Sequence, residues 1–333
     1  MNEPEETHKE PAVLLSRVAE AVYWTGRYLE RAETTARIIK VHTELYLDLP
    51  KSAGIGWTPL LAVTGSEEAY GLAHDGADED RVVSFLVSSD ENPGSLLASL
   101  AAARENLRVT RAVFPRETWE TLNALYVDAA DTCAHAISRR TRLRWTDEVV
   151  AGCQRISGAL AGTMSHDAAY SFLRLGSHLE RADMTTRVLD VRAGMPDDGP
   201  AQQEQPYADL LWMSVLRSLG AQQMYRRSVQ NRVWGADVLR FLLRDRTFPR
   251  SFLHCLDAME HCLGFLPNAE LARAACIAAA QHVEGSRTAS LSWGGLHDYV
   301  DELQLDLVRI NDSLRDTYFH REPGERLRAL ASA

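Results

Sequence analysis

Apolar residues recur three and four positions apart along most of the chain, which is the spacing of one face of an α-helix. Clear examples are Leu29, Ala32, Ala36 and Ile39, and Leu303, Leu307, Ile310 and Leu314. Alternating strand patterns joined by tight hairpin dipeptides are not found in the sequence. The pattern therefore predicts an all-α protein.

Prolines and glycines divide this pattern into helical stretches. Ala, Leu, Arg and Glu, which are good helix formers, dominate four stretches without proline: 12–49, 116–195, 207–248 and 268–322. We predict breaks at Pro50–Pro59, Ser88–Pro93 and Ala193–Pro206, and further breaks near Pro249 and Pro267.

The chain repeats itself. Gly26–Arg37 returns as Gly176–Arg187, and both segments contain Leu-Glu-Arg-Ala and end in arginine. Further matches pair Pro93, Ser95, Ile156 and Leu160 with Pro249, Ser251, Ile310 and Leu314. A period this long indicates two large halves and not a solenoid. We predict an internally duplicated helical bundle whose halves are related by a pseudo-twofold axis.

The repeat and the breaks give the predicted organisation of the chain. It comprises a disordered acidic tail at residues 1–12, a first helical repeat at 13–166, a second helical repeat at 167–320 and a C-terminal tail at 321–333. A chain of 333 residues is long enough for one large domain. We expect both repeats to pack together as that domain.

Charged residues in the repeated segment form the first candidate site. On a helix over Tyr23–Lys40, Arg27, Glu30 and Arg37 share one stripe, so the carboxylate can meet a guanidinium on either side. With the second copy, the candidate cluster comprises Arg27, Glu30, Arg31, Arg37, Glu180, Arg181 and Arg187. It is either a structural ion-pair network or a cradle for a carboxylate or phosphate. Gly26 and Gly176 would allow another helix to approach closely.

A second candidate site lies in the first half only. Arg104, Arg108 and Arg111 recur at spacings of four and three on one predicted helical face, beside Glu105 and Asn106. The aligned residues of the second half, Glu260-His261-Cys262, do not share this pattern. The block is either a solvated helix face or a second binding site formed by Arg104, Glu105, Asn106 and Arg108.

Composition excludes several classes of function. The net charge of −10 argues against general nucleic-acid binding, which needs clustered cationic surface. No apolar run approaches the roughly 20 residues of a membrane span, and Met1–Pro11 lacks the apolar core of a signal peptide. The five cysteines are expected to be reduced thiols in a cytoplasmic protein.

Familiar catalytic signatures are missing from the sequence. It has no phosphate-binding loop and no nucleophile elbow. His254-Cys255 and His261-Cys262 share a predicted helix face, but they lack the usual clustered zinc spacing. We therefore predict no metal and no cofactor, name no catalytic residue, and do not favour an enzyme.

Several motifs together resemble the bacterial Alpha-E family over roughly residues 13–320. They are Tyr28–Ala32, Ala103–Asn106, Trp119–Asn123, Phe172–Ala182 and Phe248–Ser251. Members of that family are typically encoded beside ATP-grasp and transglutaminase-like proteins, and some are fused to the former. The resemblance therefore implies a setting of amide or peptide bond formation.

Three functions follow from that setting. The leading hypothesis is a helical partner of an ATP-grasp ligase, and of a transglutaminase-like protein if one is present, that positions substrate or regulates the ligase. The first alternative is an enzyme that acts on an anionic peptide-like substrate through the Glu-Arg cluster. The second is a purely structural assembly platform. The sequence leaves homo-oligomerisation open.

Overall fold

The structure, a computed structural model, describes residues 14–193, 207–229, 232–286 and 293–319. All regular elements in these ranges are helical, which confirms the predicted all-α class. The predicted tails at residues 1–12 and 321–333 lie outside these ranges, as does the predicted break beyond Ala193. None of the helices in the ranges is long and apolar enough to cross a membrane.

The described residues form fifteen α-helices with three short helical turns. The turns are 3₁₀ at Lys51–Ala53 and Arg111–Val113, and π at Arg315–Phe319. The α-helices are α1 Ser16–Asp48, α2 Thr58–Thr64, α3 Glu67–Ala73, α4 Glu79–Ser88, α5 Leu96–Val109, α6 Arg116–Asp131, α7 Ala134–Ile137, α8 Arg139–Thr163, α9 Ala168–Ala193, α10 Ala208–Ser218, α11 Gln222–Ser228, α12 Gly235–Arg244, α13 Phe252–Leu263, α14 Glu270–Gly285 and α15 Trp293–Leu314.

The helix ends follow the local signals in the sequence. Ser95 and Ser251 each cap a helix, because their hydroxyls accept the backbone N–H of Ala98 and His254 at 3.3 and 3.2 Å. Such a cap satisfies one of the orphan N–H groups of the first turn. The predicted breaks within the described ranges each cover a gap between successive α-helices, although Pro59 already belongs to α2 and Ser88 still belongs to α4.

Helices α1 and α9 pack against each other at the centre of the fold. Helices α5 and α8 flank α1, while α13 and α15 flank α9. The central contact is close enough that a Cβ atom at Gly26 would overlap the carbonyl oxygen of Leu173, and one at Gly176 would overlap that of Tyr23. Both glycines are therefore required by the helix crossing, which confirms the close approach predicted from the sequence.

The interior of α1 is unusually polar for a buried helix. Glu30, Glu33, Thr34 and Thr35 are all buried among apolar side chains. Thr43 satisfies its hydroxyl by donating to the Ile39 carbonyl oxygen at 2.7 Å, but a carboxylate has to be paired when it is buried. The buried carboxylates of α1 therefore require cationic partners from α9 and the helices around it.

Replacing Gly26 with alanine is expected to lower the free energy of unfolding by about 1–3 kcal/mol, because the added methyl group has to push the α9 backbone away. Urea unfolding followed by circular dichroism measures the change.

Gly158→Ala in α8 is the matched control for this substitution. Gly158 is exposed and has no atom within 4 Å of an added Cβ, so alanine is expected to stabilise the helix by about 0.5–1 kcal/mol. Changes of the same sign and size in both variants would contradict the close crossing of α1 and α9.

Candidate functional site

Glu180 of α9 is held by two arginines of α1. Arg31 donates from Nε to Oε1 at 2.6 Å and from Nη2 to Oε2 at 3.1 Å. Arg27 donates from Nε to Oε2 at 2.7 Å and from Nη1 to Asn311 Oδ1 at 3.2 Å. Tyr23 donates its hydroxyl to the same Asn311 oxygen at 2.8 Å. Both oxygens of this buried carboxylate are therefore occupied.

Glu30 of α1 is held in the reciprocal way. Arg181 of α9 donates from Nε to Oε1 at 2.7 Å, and Arg250 donates from Nη1 to Oε2 at 3.1 Å. Arg250 also donates from Nη2 to Oε1 of Glu33 at 2.9 Å. The carboxylate of each repeated Leu-Glu-Arg-Ala segment is thus paired with the arginine of the other segment.

These contacts correct the predicted pairing within one helical stripe. Glu30 does not bind Arg27 or Arg37, and Glu180 does not bind Arg187, because both carboxylates face the crossing of α1 and α9. Arg37 instead binds Glu33, and Arg187 binds Asp183 with both Nε–carboxylate distances at 3.1 Å. The predicted cluster residues therefore do lie in one region. The ion pairs of Glu30 and Glu180 connect different helices, whereas those of Arg37 and Arg187 stay within α1 and α9.

Arg37 and Arg187 each lie against a glycine that follows a helix in the other half. A Cβ atom added at Gly220, just after α10, would lie 3.4 Å from Nη1 of Arg37, and one added at Gly65, just after α2, would lie 2.6 Å from Nη1 of Arg187. Both glycines have positive φ angles, 63° and 64°. A cation near a helix C-terminus is stabilised by the helix dipole, so these two arginines connect the halves as well.

The arginines keep both central carboxylates ionised. Burial alone would raise the pKa of Glu180, but Arg27 and Arg31 lower it to about 2. Burial likewise opposes ionisation of Glu30, and Arg181 and Arg250 bring its pKa below the ordinary value. An ionised carboxylate with both oxygens bound is not available as a general base. The geometry therefore favours the structural interpretation of the cluster.

Sequence reasoning missed two members of the cluster, Glu33 and Arg250. Thr185 donates its hydroxyl to the carbonyl oxygen of Arg250 at 2.8 Å and so holds the turn before α13 in place. The signal was present in the repeat, because Pro93-Gly94-Ser95 is matched by Pro249-Arg250-Ser251. A glycine replaced by an arginine beside a repeated capping serine indicates a new contact.

The second candidate block is divided in the structure. Arg108 and Glu105 are exposed and bind each other, with Nη2–Oε1 at 2.6 Å, as expected of a solvated face. Arg104 instead turns toward α6 and donates from Nε to Asn123 Oδ1 at 2.7 Å. Asn106 is half-buried. The prediction of one arginine face was wrong for Arg111, because α5 ends at Val109.

The two His-Cys pairs do not converge as metal ligands. Cys255 is buried, and burial raises the pKa of its thiol to about 12. The Nδ1 atom of His254 lies 2.9 Å from the Arg246 carbonyl oxygen. Within the described ranges, the ligand-type atoms that approach one another belong to Asp190, His297 and Asp301, on a mostly exposed surface.

A cavity of about 70 Å³ lies between α1, α2, α9 and α10. Apolar side chains form most of its lining, together with His42 and Arg192. Burial lowers the pKa of His42 to about 4, so this imidazole is neutral at pH 7. Glu30 and Glu180 do not line the cavity, so their ion pairs are separate from it.

The free energy of unfolding is expected to fall as the pH drops from about 5 to about 2. The pKa of Glu180 is about 2 in the fold against 4.5 for the free side chain, so the stabilisation is complete above the higher value and disappears as the pH falls through the lower one. Glu180→Gln should cost on the order of 3 kcal/mol at pH 7 and flatten the pH dependence. Urea unfolding at several pH values measures both effects.

Glu148→Gln is the matched control for Glu180→Gln. Glu148 is an exposed α8 residue that binds Arg144 at 2.9 Å, so its replacement is expected to change stability by less than about 1 kcal/mol. Parallel pH curves for the wild type and Glu180→Gln would show that the Glu180 ion pairs do not stabilise the fold.

Known proteins similar to this chain are uncharacterized. One protein of Mycobacterium bovis and two of Mycobacterium tuberculosis are each 26% identical to it over 278 residues. The match covers 77% of this chain and 30% of each mycobacterial protein. No solved structure matches the chain.

A family profile also matches the chain. It covers residues 14–319 and is described as a predicted alpha-helical domain with a conserved ER motif. The Glu30-Arg31 and Glu180-Arg181 dipeptides, whose side chains form the reciprocal ion pairs, correspond to that description. The chain therefore belongs to the Alpha-E family.

Proposed function

We propose that this protein is a cytoplasmic helical partner of an ATP-grasp-type amide or peptide ligase, and that it positions substrate for the ligase or regulates it. The proposal rests on the family, whose members typically accompany ATP-grasp and transglutaminase-like proteins. The chain contributes a rigid helical body in this arrangement. The ligase contributes nucleotide binding and the activation of a carboxylate.

The main structural support for this proposal is that the carboxylates of the Glu-Arg cluster are buried and fully paired. Glu30 and Glu180 are 3% and 1% exposed, and each is bound by two arginines. Carboxylates held in this way stabilise a helix crossing and do not perform acid–base chemistry. The signature residues of the family therefore support a scaffold role better than an active site.

The lengths of the relatives agree with a protein that acts beside another polypeptide. The matched region is only 30% of each mycobacterial protein, so those chains have large segments without a counterpart here. A helical region joined to further segments within one chain is the arrangement expected of a domain that works with a partner.

We further propose that the two halves arose by duplication and are related by a pseudo-twofold axis near Gly26 and Gly176. Three reciprocal relations support this proposal. Gly26 and Gly176 each lie against the backbone of the other central helix. Arg31 binds Glu180 while Arg181 binds Glu30, and Arg37 and Arg187 approach the glycines that follow α10 and α2. A duplicated half that pairs with its own copy produces contacts of this kind.

Reconstitution tests the proposed partnership. The full chain is purified from its native host, co-purifying proteins are identified by mass spectrometry, and any ATP-grasp protein recovered is expressed alone. We expect the two purified proteins to form a stoichiometric complex, and the ligase to form amide bonds faster or more selectively when the chain is added.

The variant Arg31→Ala distinguishes a partner from an enzyme. In a partner, removing one arginine from Glu180 lowers stability and weakens the complex in proportion, as followed by thermal unfolding and gel filtration. Retained stability together with lost turnover by the chain alone would establish the enzyme alternative. If purified ligase neither binds nor responds to the chain, the partnership is wrong.

A further inference from the structure

Arg104 forms no salt bridge with a carboxylate of the described residues, and Glu105, the acid that lies within electrostatic range of it, is bound by Arg108. Its Nε donates to Asn123 Oδ1 at 2.7 Å, and an amide oxygen does not neutralise a guanidinium. Arginine has five N–H donors, so four of them are left without a protein acceptor in the described ranges. The side chain is half-buried, unlike those of Arg108 and Arg116 nearby, which are exposed.

Two aromatic rings fix the plane of this guanidinium. Its central carbon lies 5.4 Å from the ring centroid of Trp119 and 5.3 Å from that of Tyr126. Trp119, Asn123 and Tyr126 occupy one face of α6, at spacings of four and three residues. Cation–π contacts and the Asn123 hydrogen bond together preorganise Arg104, which lowers the cost of binding a ligand.

The neighbouring charges are already neutralised. Arg108 binds Glu105 with Nε–Oε2 at 2.8 Å and Nη2–Oε1 at 2.6 Å, and Arg116 binds Glu120 at 2.9 Å. In the second half, the position aligned with Arg104 is Glu260, which binds Arg273 at 3.1 Å. The unpaired guanidinium is therefore a feature of the α5–α6 surface and not a general property of the repeat.

We propose that Arg104, with Trp119, Asn123 and Tyr126, forms a binding site for a carboxylate group. With Nε engaged by Asn123, the Nη1–Nη2 edge is left, and two parallel N–H groups on that edge match the two oxygens of a carboxylate. The indole and phenol rings flank the site and suit the methylene groups of a glutamate-like stem. This site is independent of the proposed ligase partnership.

The single positive charge of Arg104 favours a carboxylate, which is a monoanion, over a phosphate dianion. A single guanidinium supplies one positive charge, whereas phosphate groups in proteins are recognised by clusters of arginines. The acidic side chains of Glu105 and Glu120 lie on the same two helices, and the whole chain carries −10. A dianion would meet more repulsion than one guanidinium offsets, while a carboxylate matches its charge.

Calorimetric titration of the full chain at low salt tests the site. The probes are an N-acetylated, C-amidated tri-glutamate peptide, the corresponding tri-glutamine peptide, glutarate and inorganic phosphate. We expect the tri-glutamate peptide to bind and the tri-glutamine peptide not to bind. If glutarate binds as tightly as the tri-glutamate peptide, the ligand is a small acid. If glutarate binds more weakly than the peptide, the ligand is a peptide. Both results support the carboxylate site.

Three variants locate the binding. Arg104→Gln is expected to weaken tri-glutamate binding at least about tenfold, because two charge-assisted hydrogen bonds are lost. Arg240→Gln, at an exposed arginine of α12 that is already paired with Asp237, should leave the affinity unchanged. Asn123→Asp places a carboxylate beside Arg104 and should abolish binding while it preserves or raises the melting temperature, so the test does not depend on the folding of Arg104→Gln.

Three results would overturn the proposal. They are absence of tri-glutamate binding to the wild type, equal affinity in Arg104→Gln or Asn123→Asp, and tighter binding of phosphate than of the carboxylate probes.

Discussion

Two carboxylates are buried where α1 crosses α9, and the rest of the fold depends on how their charge is balanced. An uncompensated charge in that position would cost several kcal/mol, a large part of the 5–15 kcal/mol by which a typical domain is stable. Gly26 and Gly176 bring the two backbones close enough for Arg31 to reach Glu180 and for Arg181 to reach Glu30. The flanking helices α5, α8, α13 and α15 pack against the two central helices, and both carboxylates are buried.

Much of this fold could be predicted from the sequence, because helical periodicity and proline breaks are local signals. The periodicity gave the all-α class, and the predicted breaks near Pro93 and Pro249 lie just before the helices that Ser95 and Ser251 cap. The repeated Glu-Arg dipeptides located the candidate site. The partners of Glu30 were not predictable from spacing on α1, since an i,i+4 pair and a pair across a helix crossing require the same residue types. Only the packing of α9 and α13 decides between them.

The departures from the repeat are as informative as the repeat itself. Glu180 receives its second arginine, Arg27, from α1, whereas Glu30 receives Arg250 from the turn before α13. The positions aligned with these two arginines hold Ser177 and Gly94. Each half therefore completes the same charge balance in a different way. Similarly, Arg104 forms no salt bridge, whereas the position aligned with it holds Glu260, which is paired with Arg273, so the two aligned positions offer different surfaces to other molecules.

The exchange of arginines between the halves also constrains the order of folding. Glu30 is synthesised about 150 residues before Arg181, and contacts of such long sequence separation form late because the intervening chain has to be ordered first. Until α9 leaves the ribosome, α1 has a carboxylate and a glycine surface without their partners. The first half is then an incomplete unit that exposes its central helix. We therefore expect α1 to reach its final packing late in folding, and a fragment that ends before α9 would lack the arginine that Glu30 requires.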